Sequence, residues 1–184
     1  MKYINKRLTL EKVNFQKIAK KFGTPFYCYS YSKLKENVSN FKKNFKSFSP
    51  LICFAVKSNT NFNLIREIKK FGLGADVVSL GELMVALKAG MKPNKIVFSG
   101  VGKTSSELNF AINKKILLIN AESLSEIIEI NRLAKLKNKK VRVGVRLNPN
   151  TDAKTLNQIS TGKKGDPMYK ESKKETEIKK HLSI

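Results

Sequence analysis

Leu51-Ile52-Cys53-Phe54-Ala55-Val56 is an unbroken apolar run, closed by Lys57-Ser58-Asn59. A run this short, with aromatic and β-branched members, reads as a strand buried on both faces. The residues after it decide what the strand belongs to. Residues 63–70 place Leu64, Ile65 and Ile68 on one helical face, with Phe71 close behind. Residues 75–78 read as a second strand, and 82–88 as a helix ended by Gly90 and followed by Pro93. Residues 95–98 are a third strand. Thr104-Ser105-Ser106-Glu107 is then a capping box opening a helix faced by Leu108, Ala111 and Ile112. Residues 116–119 are a fourth strand. Ser123-Leu124-Ser125-Glu126 caps a helix with Ile127, Ile130 and Leu133 inside, and 141–147 form a fifth strand ended by Pro149.

This alternation predicts βαβ units and a parallel sheet, an α/β fold. Two architectures compete: an open doubly wound sheet, and a (β/α)8 barrel. A barrel takes about 250 residues, and here five strands are legible. Ahead of them, residues 1–49 form a lead-in with an extended piece at 25–29 and a helix near 31–45. Residues 50–162 hold the strand–helix units. Residues 163–184 are a polar tail with no strand-like run, expected to be solvated.

Composition narrows the class. No apolar run approaches a membrane span, and Met1–Arg7 is followed by no long apolar segment, so neither a membrane nor a secretory signal is expected. Cys28 and Cys53 stand far apart with no CxxC spacing, which fits a reducing cytoplasm. The single histidine, His181, falls in the polar tail, so no histidine metal site is expected. The formal charge of +23 comes mostly from lysines spread over every segment, with five arginines. No aromatic–arginine stripe accompanies it, so no specific nucleic-acid partner is expected.

Several residues carry possible chemistry. Lys57 ends the first strand. It reads either as a surface lysine or, at the C-terminal mouth of a parallel sheet, as an amine whose pKa partial burial lowers for condensation with an aldehyde cofactor. Asp76 interrupts an apolar strand, where a carboxylate wants a partner. Glu82 lies in Ser79-Leu80-Gly81-Glu82, itself a capping box, so it can serve backbone donors, a ligand or both. Gly100-Val101-Gly102-Lys103-Thr104 follows a strand and opens a helix, but Val97 stands where a phosphate-loop motif needs its first glycine. A helix start there could still bind an anion weakly. Arg142 and Arg146 share a strand face with Gly144. Arg146 reads as an anion or cofactor contact, or as the partner of a neighbouring-strand carboxylate such as Asp76.

These segments together resemble one family. Phe54-Ala55-Val56-Lys57-Ser58-Asn59 is similar to the lysine motif of fold-type III pyridoxal-phosphate (PLP) decarboxylases. Residues 74–83, 98–104 with Glu107-Leu108, and Arg146-Leu147-Asn148-Pro149-Asn150 resemble the corresponding segments of diaminopimelate decarboxylases. So do Asp152-Ala153, Ile159-Ser160-Thr161-Gly162 and the lead-in Thr24-Pro25-Phe26-Tyr27-Cys28-Tyr29. The resemblance implies an alanine racemase-like (β/α)8 barrel working as a homodimer. Residues 50–162 would be the part of its PLP-binding barrel present here. It further implies Lys57 as the catalytic, cofactor-bearing lysine, with Asp76, Glu82 and Arg146 as cofactor-pocket residues. The implied reaction is decarboxylation of meso-2,6-diaminopimelate to L-lysine and CO2. After Gly162 the family pattern is not continued, so the chain is expected to be truncated and inactive alone. Other members of the fold, ornithine-type or carboxynorspermidine decarboxylases, and a non-catalytic basic binding module are the alternatives.

Overall fold

The computed structural model describes residues 1–147. The expected end of the fifth strand at Leu147-Asn148-Pro149, the segments at 152–153 and 159–162, and the tail at 163–184 with His181 therefore lie wholly or partly outside the described residues. The chain divides into two compact units, Met1–Pro50 and the residues from Leu51 onward.

The first unit contains elements that the apolar pattern did not reveal. β1 (Lys2–Ile4), β2 (Arg7–Leu10) and β3 (Val13–Asn14) form an antiparallel meander, in which Tyr3 pairs with Leu8 and Thr9 with Asn14. α1 (Phe15–Phe22) starts where the Asn14 side chain accepts the Gln16 N–H, and stops at Gly23. α2 (Tyr31–Asn44) matches the expected helix and is capped by the Ser30 hydroxyl. The extended piece at 25–29 is in no ladder, because its backbone finds no strand to pair with among the described residues.

The second unit is the parallel sheet. β4 (Cys53–Ala55) is followed by a 3-10 turn over Val56–Ser58, then α3 (Phe62–Lys70), β5 (Gly74–Val77), α4 (Leu80–Lys88), β6 (Ile96–Phe98), α5 (Ser105–Lys114), β7 (Leu118–Ala121), α6 (Leu124–Leu136) and β8 (Val143–Val145). All four ladders are parallel, and the strands lie in chain order, β4-β5-β6-β7-β8. A doubly wound sheet reverses its strand order at a switch point. Here there is no reversal, and one sheet face is sealed while the other stays partly open. Ala75, Val77, Ile96, Phe98, Ile119 and Ala121 are buried, whereas Asp76, Val97, Leu118, Asn120 and Gly144 are half-buried. The sheet is thus a five-strand arc of a barrel, with the half-buried residues on its inner face.

Each helix is set by its own residues. Asn61, Ser79, Thr104 and Ser123 cap α3 to α6 with a side-chain oxygen on a first-turn N–H, each worth about 1 kcal/mol. Ile65, Ile68, Leu83, Leu108 and Ile130 are almost wholly buried under the sheet. At about 1.5–3 kcal/mol per large apolar side chain, this burial outweighs the caps. Two strands are displaced from expectation. Lys115 enters the left-handed region at φ 54° and ends α5. The Leu117 N–H then bonds the Ile96 carbonyl at 3.0 Å, so the ladder starts at Leu118 and runs on to Ala121 rather than spanning 116–119. The first strand stops at Ala55, because Val56 turns into the 3-10 segment that contains Lys57.

Candidate functional site

The C-terminal ends of the five strands converge on one rim. Lys57 leaves β4 in the 3-10 turn, held by the Ser58 hydroxyl donating to the Ala55 carbonyl at 2.7 Å and the Asn59 N–H donating to Val56 at 3.0 Å. The turn packs against β5 and α4. Lys57 itself is exposed, so the partial burial expected from the sequence is not provided by the described residues. The strand ends before the lysine and the turn lifts it clear of the sheet.

Asp76 stands beside Ala55 in the β4–β5 register. Its partner is the Ser99 hydroxyl, which donates to Asp76 Oδ1 at 2.7 Å and accepts from Asn120 Nδ2 at 3.0 Å. Asp76, Ser99 and Asn120 therefore make a polar row across β5, the end of β6, and β7. Gly144, opposite Asn120 on β8, continues the row without a side chain. A Cβ at Gly144 would run into the Asn120 side chain, so glycine keeps this part of the inner face low. Asp76 also helps to push the Cys53 thiol up, after the larger effect of burial.

Glu82 completes half of a capping box. The Glu82 N–H donates to Ser79 Oγ, but the Glu82 carboxylate reaches past the cap to accept the Val78 N–H at 3.0 Å, tying α4 to the end of β5. Glu126 repeats this on the Glu122 N–H at 3.2 Å, whereas Glu107 forms the reciprocal box with Thr104. The Glu107 carboxyl is held below its ordinary value, chiefly by the Thr104 N–H, with the Leu80 N–H bonded to its other oxygen. At the start of α5 the Thr104 N–H is thus bonded to the Glu107 carboxylate and the Glu107 N–H to the Thr104 hydroxyl.

Arg146, just past β8, donates to Glu122 Oε2 at 3.0 Å. The expected alternative partner was Asp76, and the strand order rules it out: β6 and β7 lie between β5 and β8. Arg142, just ahead of β8, serves the opposite end of the sheet. There it lines a cleft of about 680 Å3 with Lys115, Lys139 and Lys140, away from Lys57. Lys103 does not face the rim as a phosphate-loop lysine would. Its side chain is 1% exposed, ion-paired with Glu126 and bonded to the Gly100 carbonyl.

Sequence reading missed Ser99, Asn120, Glu122 and the Lys103–Glu126 pair. The last carried one signal, a lysine just ahead of a cap and a glutamate in the next cap. Among the described residues there is no cluster of metal-ligating side chains, and no helix is long and apolar enough to cross a membrane.

The rim offers an exposed amine, carboxylates and a guanidinium at the ends of parallel strands, a donor set that fits an aldehyde cofactor bearing anionic groups. Comparison with known proteins agrees. Residues 31–174 match the pyridoxal-dependent decarboxylase family at its pyridoxal binding domain. The chain is 43% identical over 165 residues to diaminopimelate decarboxylase of Helicobacter pylori strain J99, covering 90% of this chain and 41% of that protein. Among solved structures it resembles the H. pylori diaminopimelate decarboxylase complexed with L-lysine, with TM-score 0.79 and 43% identity over 83% of this chain and 39% of that one. It also resembles the M. jannaschii diaminopimelate decarboxylase, with TM-score 0.85 and 34% identity over all of this chain and 44% of that one. The chain spans about two fifths of the length of the curated relatives it matches. Pyridoxal phosphate is the cofactor these likenesses imply, and the chain belongs to the pyridoxal-dependent decarboxylase family, through its pyridoxal-binding domain.

Proposed function

We propose that the chain provides the lysine-bearing strands of a diaminopimelate decarboxylase. This enzyme removes the carboxylate at the D-centre of meso-2,6-diaminopimelate, takes up one proton in its place, and yields L-lysine and CO2. The observation that carries the proposal is Lys57, exposed at the rim in the segment that resembles the family's lysine motif, with Asp76 on the adjoining strand. Pyridoxal phosphate, when bound, supplies the electron sink for the pair released from the C–CO2 bond. Lys57 would hold the cofactor through its amine, and its Nζ is the group placed to move a proton at the rim. Asp76, fixed by Ser99, and Arg146, fixed by Glu122, would hold polar groups of the cofactor. Glu82 closes the same end, above β5. We further propose that the active form is a cytoplasmic homodimer with a closed barrel. The five strands described leave the inner face half open, so residues 1–184 assayed alone should release CO2 far more slowly than the family does.

The experiment is borohydride reduction of the chain with pyridoxal phosphate, followed by peptide mapping, beside a Lys57→Ala control. Label concentrated on Lys57 is expected. Label scattered over many lysines, unchanged in the control, would remove Lys57 from its role. For the substrate, the complete enzyme carrying these strands should prefer meso-diaminopimelate over ornithine, and a reversed preference would move the chain to another branch of the fold.

A further inference from the structure

The loop after β6 is gripped from both sides. Gly100 has φ 95° and lies against Val78, so its backbone tolerates no ordinary side chain. Its N–H donates to Glu122 Oε1 at 3.0 Å, and its carbonyl accepts from Lys103 Nζ. Lys103 is ion-paired with Glu126, and Glu126 accepts the Glu122 N–H through its other oxygen. The second Glu122 oxygen holds Arg146. The circuit runs from Gly100 through Glu122, Glu126 and Lys103 back to Gly100, with Arg146 as its outward branch among the described residues. The side chains of Lys103, Glu122 and Glu126 are 1%, 5% and 8% exposed, whereas that of Arg146 is 45% exposed. Two carboxylates and two cations balance, as burial of charge requires. A buried neutral circuit that ends in one exposed guanidinium at the rim has the form of a support for that guanidinium.

We propose that Glu122, braced by Glu126 and Lys103, is a positioning residue that presents Arg146 to an anionic oxygen of the bound cofactor. The inference rests on the pyridoxal-phosphate reading of the rim. Glu122 touches no ligand itself. It fixes the guanidinium by a charge-assisted bond and is in turn fixed by the Gly100 and Glu122 backbone N–H groups.

The test uses the 184-residue chain and pyridoxal phosphate as the probe. The variants are Glu122→Gln, Arg146→Gln and the double variant. Glutamine still accepts the Gly100 N–H but, turned that way, offers Arg146 an NH2 group instead of an oxygen. Glu122→Gln should weaken binding on the order of tenfold, the scale of one charge-assisted hydrogen bond, and should have no further effect once Arg146 is glutamine. Its melting temperature should stay close to that of the unmutated chain. Full additivity of the two substitutions, or unchanged affinity in Glu122→Gln, would overturn the proposal. A cofactor-free arm follows amide exchange at Gly100, which should be slow in the unmutated chain and at least tenfold faster in Glu122→Ala. Equal exchange in both would also overturn it. If the unmutated chain shows neither saturable binding nor label at Lys57, the cofactor reading fails, and the presentation role of Arg146 fails with it. Binding of unchanged affinity in Glu122→Gln, with label still at Lys57, sinks the positioning role alone.

Discussion

At the residue scale, the two cysteines and two of the glycines give direct tests. Cys28 is exposed, whereas Cys53 is half-buried in β4 with its thiol pushed up by burial and then by Asp76. A thiol reagent at neutral pH should therefore modify Cys28 first, since the thiolate is the reactive form. Equal rates on peptide mapping would contradict this. Gly74 and Gly144 both lack room for a Cβ, but for different reasons. At Gly74 the added carbon would meet the Lys95 carbonyl oxygen and lie 2.8 Å from Cys53 Sγ, so backbone must move. At Gly144 it would meet the Asn120 side chain, which can swing away at the loss of its bond to Ser99. Gly74→Ala should then cost about 1–3 kcal/mol and Gly144→Ala about 1 kcal/mol in urea unfolding. The reverse order would show that the inner row is the more rigid of the two.

At the element scale, the connections between strand ends and helix starts carry the electrostatics. Glu107 caps α5 and its folded pKa is lowered, mainly by the Thr104 N–H. A lowered carboxyl contributes stability that is fully present above the ordinary value of 4.5 and is lost as pH falls through the lower folded value. Thermal melts of the native chain should decline below about pH 4.5, and Glu107→Gln should flatten that part of the profile. Lys103 and Glu126 join the β6–α5 loop to the start of α6. Lys103→Met strands a buried carboxylate and should cost about 3–5 kcal/mol. Adding Glu126→Gln, which keeps an acceptor for the Glu122 N–H, should recover more than half of the loss by chemical denaturation. No recovery would mean that Lys103 acts through the Gly100 carbonyl rather than through the ion pair.

At the scale of the whole molecule, the charge of +23 lies on lysines distributed along the chain. Such a field attracts polyanions without shaping a site. Retention on a polyanion should fall steeply with salt and show no sequence preference. A tight, sequence-selective complex at physiological salt would require a nucleic-acid site that the rim does not offer. The five strands, each followed along the chain by its helix as far as β8, were readable from apolar runs and caps, because those signals are local. The meander of β1 to β3 was not readable. Its strands are two to four residues long, too short for an alternation to stand out from a lysine-rich background.

The sequence by itself determined the order of strands and helices in the second unit, their caps, and the segments that mark the family. It singled out Lys57, Asp76, Glu82 and Arg146, because each stands at a strand end or cap that local pattern identifies. The tertiary structure decided who faces whom. Whether the sheet is doubly wound or part of a barrel depends on which strands lie side by side, and periodicity within a strand is blind to its neighbours. Asp76 found Ser99, and Arg146 found Glu122 rather than Asp76, because lateral order placed those residues on adjoining strands. Glu122 and Lys103 look in the sequence like ordinary charges beside a cap. They become a buried circuit because β6, β7 and the helices that follow them bring residues about 20 positions apart within hydrogen-bond reach, and in that low-dielectric setting each charge must have its partner.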